Sequence, residues 1–337
     1  MFAHAIDRLR PYALPLVVLL ITWGIIAGIT PSFRGVGSIF AVLEGFPLVG
    51  LAALGLAVTI IAGELDLSVG SMAALAAVVA VLTSPTGLVP CILIATLVGV
   101  VFGAVQGTLI GYLRINSLVF TIGTLILLRG LTYIASDNAP IIIQNITITD
   151  PLLDRYVVFS ISSITAVTVF ILAGLFLTYT RWGREIYAIG GARNEAIAAG
   201  VPRIRPLTVS FAISAGCASL AGALAATRGG SAAPQNYADL LLSGAAAALL
   251  GGISLYGGRG SVINVALGVA VLTVVATGLA ARGSTAYLVQ LVTGALLLTM
   301  IAIEFLAGRL TLRDTILGAG LRGHTRGPED VDSQREG

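Results

Sequence analysis

Two carboxylates, Glu64 and Asp66, stand at the edge of strongly apolar stretches, in the run Gly63-Glu-Leu-Asp-Leu-Ser-Val-Gly70. A carboxylate at membrane depth is costly to keep charged, so by default it suggests function. One role for Asp66 and Ser68 is to accept the orphan backbone N–H groups at the start of the next helix and to shape a permeation path. The plainer alternative is an ordinary capped turn, and for Glu64 the two readings weigh evenly. Ion coupling is a different chemistry, in which Glu64, Asp66 or Glu304 would be proton or sodium ligands. Five more polar residues, Gln106, Thr121, Thr124, Asn264 and Gln290, lie within apolar runs. Such side chains either bond to neighbouring helices, the commoner case, or face a wet path.

Enzymatic chemistry finds no support. The chain has no G-x-x-x-x-G-K-[ST] phosphate loop and no H-E-x-x-H pair. Cys91 and Cys217 both fall in apolar runs and read as small packing residues, not as a disulfide or metal pair. His4 and His324 lie near the two ends, which argues against a histidine metal site. Gly257-Gly-Arg-Gly260 is a break between apolar runs without the strand a nucleotide site requires.

The elements that must position these residues follow from composition. Only 10% of the 337 residues are charged and 57% are hydrophobic, whereas a soluble domain carries about 25% charged residues. One buried core cannot absorb that deficit, and a bilayer is the natural solvent for such a surface. The 41 glycines suit close helix packing. All 19 basic residues are arginines scattered between apolar runs, and without a basic stripe they do not point to nucleic acid.

Apolar runs of spanning length, or slightly short of it, occur near 13–29, 46–62, 69–83, 88–112, 118–134, 158–179, 207–226, 241–256, 261–281 and 286–306. This predicts an all-α polytopic membrane protein of about ten helices. The first run follows Arg8 and Arg10 but is too long for a signal-peptide core. The third and eighth are short and adjoin Gly-rich breaks, as discontinuous helices do. The two breaks, 63–70 and 251–258, resemble each other, and paired interrupted helices point to a transport site; in so Gly-rich a chain, chance is a rival explanation. With ten spans, fourteen arginines fall on the side holding both termini and four on the other, with Arg129 inside a span. The positive-inside rule then puts both termini in the cytoplasm. Residues 135–157 become an outer loop. Residues 1–306 form the membrane domain, and 307–337 form a charged cytoplasmic tail expected to be partly disordered. The largest internal cytoplasmic segment is 181–206, where Asn194–Ala199 reads as a short helix ended by Gly200 and Pro202.

Four blocks carry a family resemblance. Gly63-Glu-Leu-Asp-Leu-Ser-Val-Gly-Ser71 is similar to G-x-I-D-L-S-V-G-S. Gly103 to Gly107, Arg114-Ile115, Phe120-Thr-Ile-Gly-Thr124 and Arg129-Gly130 form the second block. Gly183 to Val201 is similar to G-R-x-x-Y-A-I-G-G-N-x-x-A-A-x-x-S-G-I, and Leu250 to Gly260 to V-x-G-G-T-S-x-x-G-G-x-G. In this order the blocks resemble the permeases of bacterial ATP-binding-cassette (ABC) importers for monosaccharides (ribose, xylose, arabinose and galactose), a family that includes autoinducer-2 permeases. Three positions depart from the pattern: Ala192 stands for Asn, Ala199 for Ser, and Gln106 for Asn. Asp239-Leu-Leu also replaces an acidic patch. These changes bear on substrate and docking strength, not on the fold.

The resemblance implies a subunit of the bacterial inner membrane that pairs with a second permease copy or a related chain. It would receive solute from a periplasmic binding protein. A separate cytoplasmic ABC ATPase would use ATP and Mg, and this chain would bind no cofactor of its own. The same resemblance implies that Ala188, Gly190, Gly191, Glu195, Ala196 and Gly200 form the ATPase coupling loop. Rival readings are an ion-driven secondary carrier and an ABC permease for branched-chain amino acids or nucleosides.

Overall fold

The computed structural model describes residues 2–285, 287–296, 298, 299 and 302, with side chains from Tyr12 onward. The expected 307–337 tail lies outside the described residues. Residues 1–293 form one compact unit. Residues 294–337 form another, whose few described residues are helical.

The chain is an all-α polytopic membrane protein. Seven described helices are long and apolar enough to cross a bilayer. They are α1 (Phe2–Ile29, apolar from Tyr12), α2 (Val36–Ile61), α4 (Leu88–Leu113), α5 (Ser117–Ala135), α7 (Ile161–Tyr179), α10 (Ile204–Gly229) and α12 (Val262–Ala280). Three shorter apolar helices are α3 (Val69–Leu82), α11 (Leu240–Leu250) and α13 (Tyr287–Leu296). At about 1.5 Å per residue, the 14 residues of α3 and the 11 of α11 fall well short of a hydrocarbon core of about 30 Å. The eighth expected span, near 241–256, therefore needs correction: its helix ends at Leu250, Gly251 closes the last helical bond to Ala247, and residues 252–261 run as turns and irregular backbone. Irregular backbone at such depth is tolerated only where protein or a cavity covers it. Twelve of the 14 residues of α3 are buried, and in the segment after α11 Gly251, Ile253 and Gly257 are buried.

Helix α10 is the hub and packs on α4, α3 and α2. On α4, Gly99, Gly103, Gly107 and Gly111 recur every fourth residue and so line one face. A Cβ on Gly103 would collide with the Phe211 carbonyl oxygen, and one on Gly107 with that of Leu207. Gly222 of α10 approaches the Ala73 carbonyl of α3 in the same manner. The opposite face of α4 presents Val89, Leu93, Leu97, Val101, Val105 and Leu109 to the outside. A helix apolar on both faces suits lipid on one side and protein on the other.

Two short strands, β1 (Ile141–Ile142) and β2 (Ser231–Ala232), pair antiparallel with Ile141 opposite Ala232. They tie the expected outer loop to the core: Ile143 packs with Ala77, Val78 and Val81 of α3. The same loop holds the one-turn helix α6 (Asp150–Leu153).

Close packing at Gly103 makes a sharp expectation. Gly103→Val should lower the stability of purified protein by about 3 kcal/mol or more, because backbone on both sides must part. At Gly123 a Cβ would enter open space, with no neighbouring atom within 4 Å, so Gly123→Ala should be neutral or gain up to about 1 kcal/mol. Thermal melting in detergent reads both, and equal tolerance at the two positions would contradict the packing.

Candidate functional site

Asp66 lies in the break between α2 and α3 and is fully buried. Its Oδ1 accepts from the Ser68 backbone N–H (3.0 Å), the Ser68 hydroxyl (2.5 Å) and Gln106 Nε2 (3.2 Å). Its Oδ2 accepts from the Ser214 hydroxyl of α10 (2.8 Å). One carboxylate thus joins the break to α4 and α10. The expected cap forms only in part. Asp66 takes the Ser68 N–H, whereas the Ser68 hydroxyl points back to Asp66 and caps no N–H of α3. The donated bond to the carboxylate fixes the hydroxyl's orientation, and in that orientation its oxygen accepts no N–H from α3.

The other polar residues divide. Thr121 Oγ1 donates to the Leu65 carbonyl (3.4 Å) and to that of Leu118 (3.3 Å), so α5 braces the same break. Thr124 donates to the Thr121 carbonyl within its own helix (3.1 Å). Asn264 is buried where α12 meets Gly251, and a Cβ added to Gly251 would collide with the Asn264 carbonyl oxygen. Gln290 is exposed and donates to Asp239 Oδ2 (2.8 Å). Of the five, Gln106 and Thr121 gather at the Asp66 break, whereas Thr124 bonds within its own helix and Gln290 to Asp239.

The 181–206 segment is more ordered than a loop. It contains α8 (Arg181–Gly191) and α9 (Arg193–Ala198). The second matches the expected short helix to within one residue at each end, and Gly200 follows it with φ +89°. Helix α8 begins where the Thr180 hydroxyl accepts the Gly183 N–H (3.0 Å). This N-cap is a local signal that marks the helix start in the sequence itself. Buried Glu185 pairs with Arg181 (3.0 Å) and, through both carboxylate oxygens, with Arg205 at the foot of α10.

Glu64 has a partner too. It is nearly buried and pairs with Arg193 Nη2 of α9 at 2.7 Å. Beside it three glycine turns meet. The Gly258 N–H donates to the Ile61 carbonyl (2.8 Å). A Cβ on Gly190 would collide with that same carbonyl oxygen, and one on Gly257 would stand 2.9 Å from Gly63 Cα. The two look-alike breaks therefore touch each other and the end of α8. Gly190 uses its missing side chain inside the fold and not on an outer docking face, and Ala196 is buried. Ala188 is half-buried, while Gly191, Glu195 and Gly200 are exposed.

A second polar centre is not visible from hydropathy. Glu44 of α2 pairs with Arg228 Nε of α10 at 3.0 Å. The pair borders a cavity of about 530 Å³, along with Ser162, Ser243, Thr273 and Thr277. Glu44 lies outside an apolar run that starts at residue 46, whereas α2 itself begins at Val36.

The Asp66 network predicts a difference between two substitutions. Asn at 66 keeps an acceptor for Ser68, and the Ser214 hydroxyl can turn to accept from its amide. Asp66→Asn should therefore fold and transport with mild loss. Asp66→Leu strands four buried donors, each costing about 1–3 kcal/mol, and should lose folding or uptake. Uptake at matched expression decides. Equal and complete loss in both would favour a proton-carrying role for Asp66.

Comparison with known proteins agrees with this architecture. The chain is 30% identical over 307 residues to a ribose import permease protein of Bacillus subtilis (strain 168), covering 90% of this chain and 94% of that one. It is 31% identical over 310 residues to a galactose/methyl galactoside import permease protein of Haemophilus influenzae, covering 86% and 92%. A ribose import permease protein of Escherichia coli (strain K12) is 28% identical over 299 residues, covering 86% and 92%. No solved structure matches the chain. Residues 38–301 match the family described as the permease component of the branched-chain amino acid transport system, and the chain belongs to that family of membrane permeases.

Proposed function

We propose that the chain is the membrane-spanning subunit of an ATP-driven importer, moving a monosaccharide or sugar-like solute into the cytoplasm by alternating access. The observation that carries the mechanism is the junction of α8–α9 with both glycine breaks. A cytoplasmic ABC ATPase using ATP and Mg would grip exposed Glu195 and Gly200. Displacement of α9 would pull on the break through Arg193–Glu64. Displacement of α8 would shift the Ile61–Gly190–Gly258 contact. Both motions reach the start of α3 and the end of α11, helices too short to span alone.

The cargo reading rests on the relatives named for ribose and galactose transport, which align over nearly their full length. The described polar groups suit an uncharged hydroxylated solute, since conduction requires entry without a deep trap. The family description favours a second reading with the same machinery, a branched-chain amino acid as cargo. The remaining partners are a second permease subunit, identical or paired, a periplasmic solute-binding protein and membrane lipid. Counting α3, α11 and α13 gives ten membrane segments with both termini inside, in line with the fourteen-to-four arginine bias.

Two experiments test this. Reconstituted alone in liposomes, the chain should show no uptake under proton or sodium gradients and should require the ATPase; robust gradient-driven uptake would overturn the importer in favour of a carrier. Within the assembled importer, Glu195→Arg should reverse a docking charge, and Gly200→Val should strain a position at φ +89°. Both should cut uptake while membrane insertion survives. Normal ATPase stimulation and transport in both variants would remove the docking role.

A further inference from the structure

The turn between α4 and α5 holds a polar centre separate from Asp66. Arg114 ends α4 in left-handed backbone, φ 55° and ψ 34°. Arg193 opens α9, and Arg203 precedes α10. These three arginines line one cavity of about 460 Å³ together with Glu64, Asn116 and Ser117. Its one carboxylate is already engaged by Arg193. Neither Arg114 nor Arg203 has a hydrogen-bond or ion-pair partner among the described residues, and Arg203 Nε is buried without one. Three arginines face one carboxylate, which also attracts Arg203, so the concave site keeps a net positive charge. Burial first, and then the charge of Arg193, hold the Arg203 pKa below the ordinary arginine value.

Two further features say what would fill it. The 19-residue helix α5 starts at the cavity, so its unbonded N–H groups add positive potential there. The rim is apolar: Ile115 and Leu118 line the cavity and are exposed, and Tyr112 and Leu113 are exposed one turn earlier. An apolar rim at the ends of two spanning helices sets the cavity where lipid headgroups lie.

We propose that the Arg114–Arg193–Arg203 cavity binds a phosphate-bearing anion, with its apolar rim favouring the headgroup of an anionic phospholipid over free phosphate. A bound phosphate would join the α4–α5 turn to α9 and α10, elements that the Glu64–Arg193 pair connects only to the break. Guanidinium pairs suit phosphate because they present two parallel donors.

The test uses the full chain purified in detergent, titrated with phosphatidylglycerol, phosphatidylcholine or inorganic pyrophosphate, and read by native mass spectrometry and thermal melting. Phosphatidylglycerol should bind and raise the melting temperature in a salt-sensitive way, and phosphatidylcholine should not. Arg114→Asn with Arg203→Gln should weaken binding about thirtyfold, as two arginines at a membrane surface imply. Asn is chosen at 114 because it tolerates left-handed backbone. If the double variant fails to fold, Arg203→Gln alone carries the measurement. Arg184→Gln, which removes one exposed charge from α8, should leave binding unchanged. Pyrophosphate binding as tight as the lipid's, and lost in the same variants, would support a phosphate site with a soluble source. Lipid binding that survives the double variant, or no response to either anion, would overturn the proposal and leave an acidic partner side chain as the occupant.

Discussion

The structure depends on backbone-to-backbone contact around α10. Gly99, Gly103 and Gly107 bring α4 against it, Gly55 brings α2 to the Ser214 Cα, and Gly222 brings α10 itself against α3. In lipid there is no hydrophobic drive to push apolar helices together, so shape-matched packing and polar bonds must hold them. Small residues let the helices approach until dispersion and polar groups act at short range. Only at that spacing can one short carboxylate, Asp66, reach a hydroxyl on α10 and an amide on α4 at once. Losing any of these glycines would therefore disturb the polar centre as well as the packing.

The same constraint governs the junction of breaks. Turns at Gly63, Gly190 and Gly257–Gly258 pack so closely that no side chain fits between several of them. Their backbone groups bond across elements, as in the Gly258 N–H to the Ile61 carbonyl. A junction without side chains has little slack, and in it α8 meets α2 and the segment after α11 backbone to backbone. The Glu64–Arg193 pair adds a directional link from α9, shielded because Glu64 is nearly buried. Glu185 does related work at the far end, fixing α8 to the start of α10. Segment 181–206 is thus a pair of helices tied to the break by Glu64–Arg193 and to the start of α10 by Glu185–Arg205.

Much of the site is legible where chemistry is local. The Asp66-x-Ser68 spacing announces a side chain that accepts a backbone N–H two residues on, and that bond is present. Asn194 to Gly200 carries helix-forming residues followed by a stop, and the helix ends as that pattern predicts. The differences between sequence and structure have a common cause. The close approach at Gly190 is not legible because nothing in its neighbourhood along the chain hints at Ile61, 129 positions earlier. Ser68 reads as a cap because the type of residue alone does not show that a bond donated to Asp66 turns its hydroxyl away from the α3 N–H groups. Glu44 falls outside a hydropathy window that begins two residues later, since such windows weigh composition and not helical hydrogen bonding.

Composition and the lengths of apolar runs by themselves determined that the chain is an all-helical membrane protein and roughly where its apolar helices lie, and they marked the third and eighth runs as short. Those conclusions follow because length and apolarity are properties of a single segment facing lipid. Tertiary structure alone decided which polar residues meet. Asp66 finds Gln106 at 40 and Ser214 at 148 positions' distance, and Glu64 finds Arg193 at 129. Such pairings depend on the rotation and closeness of packed helices, which the glycine faces set jointly, and no single segment encodes them.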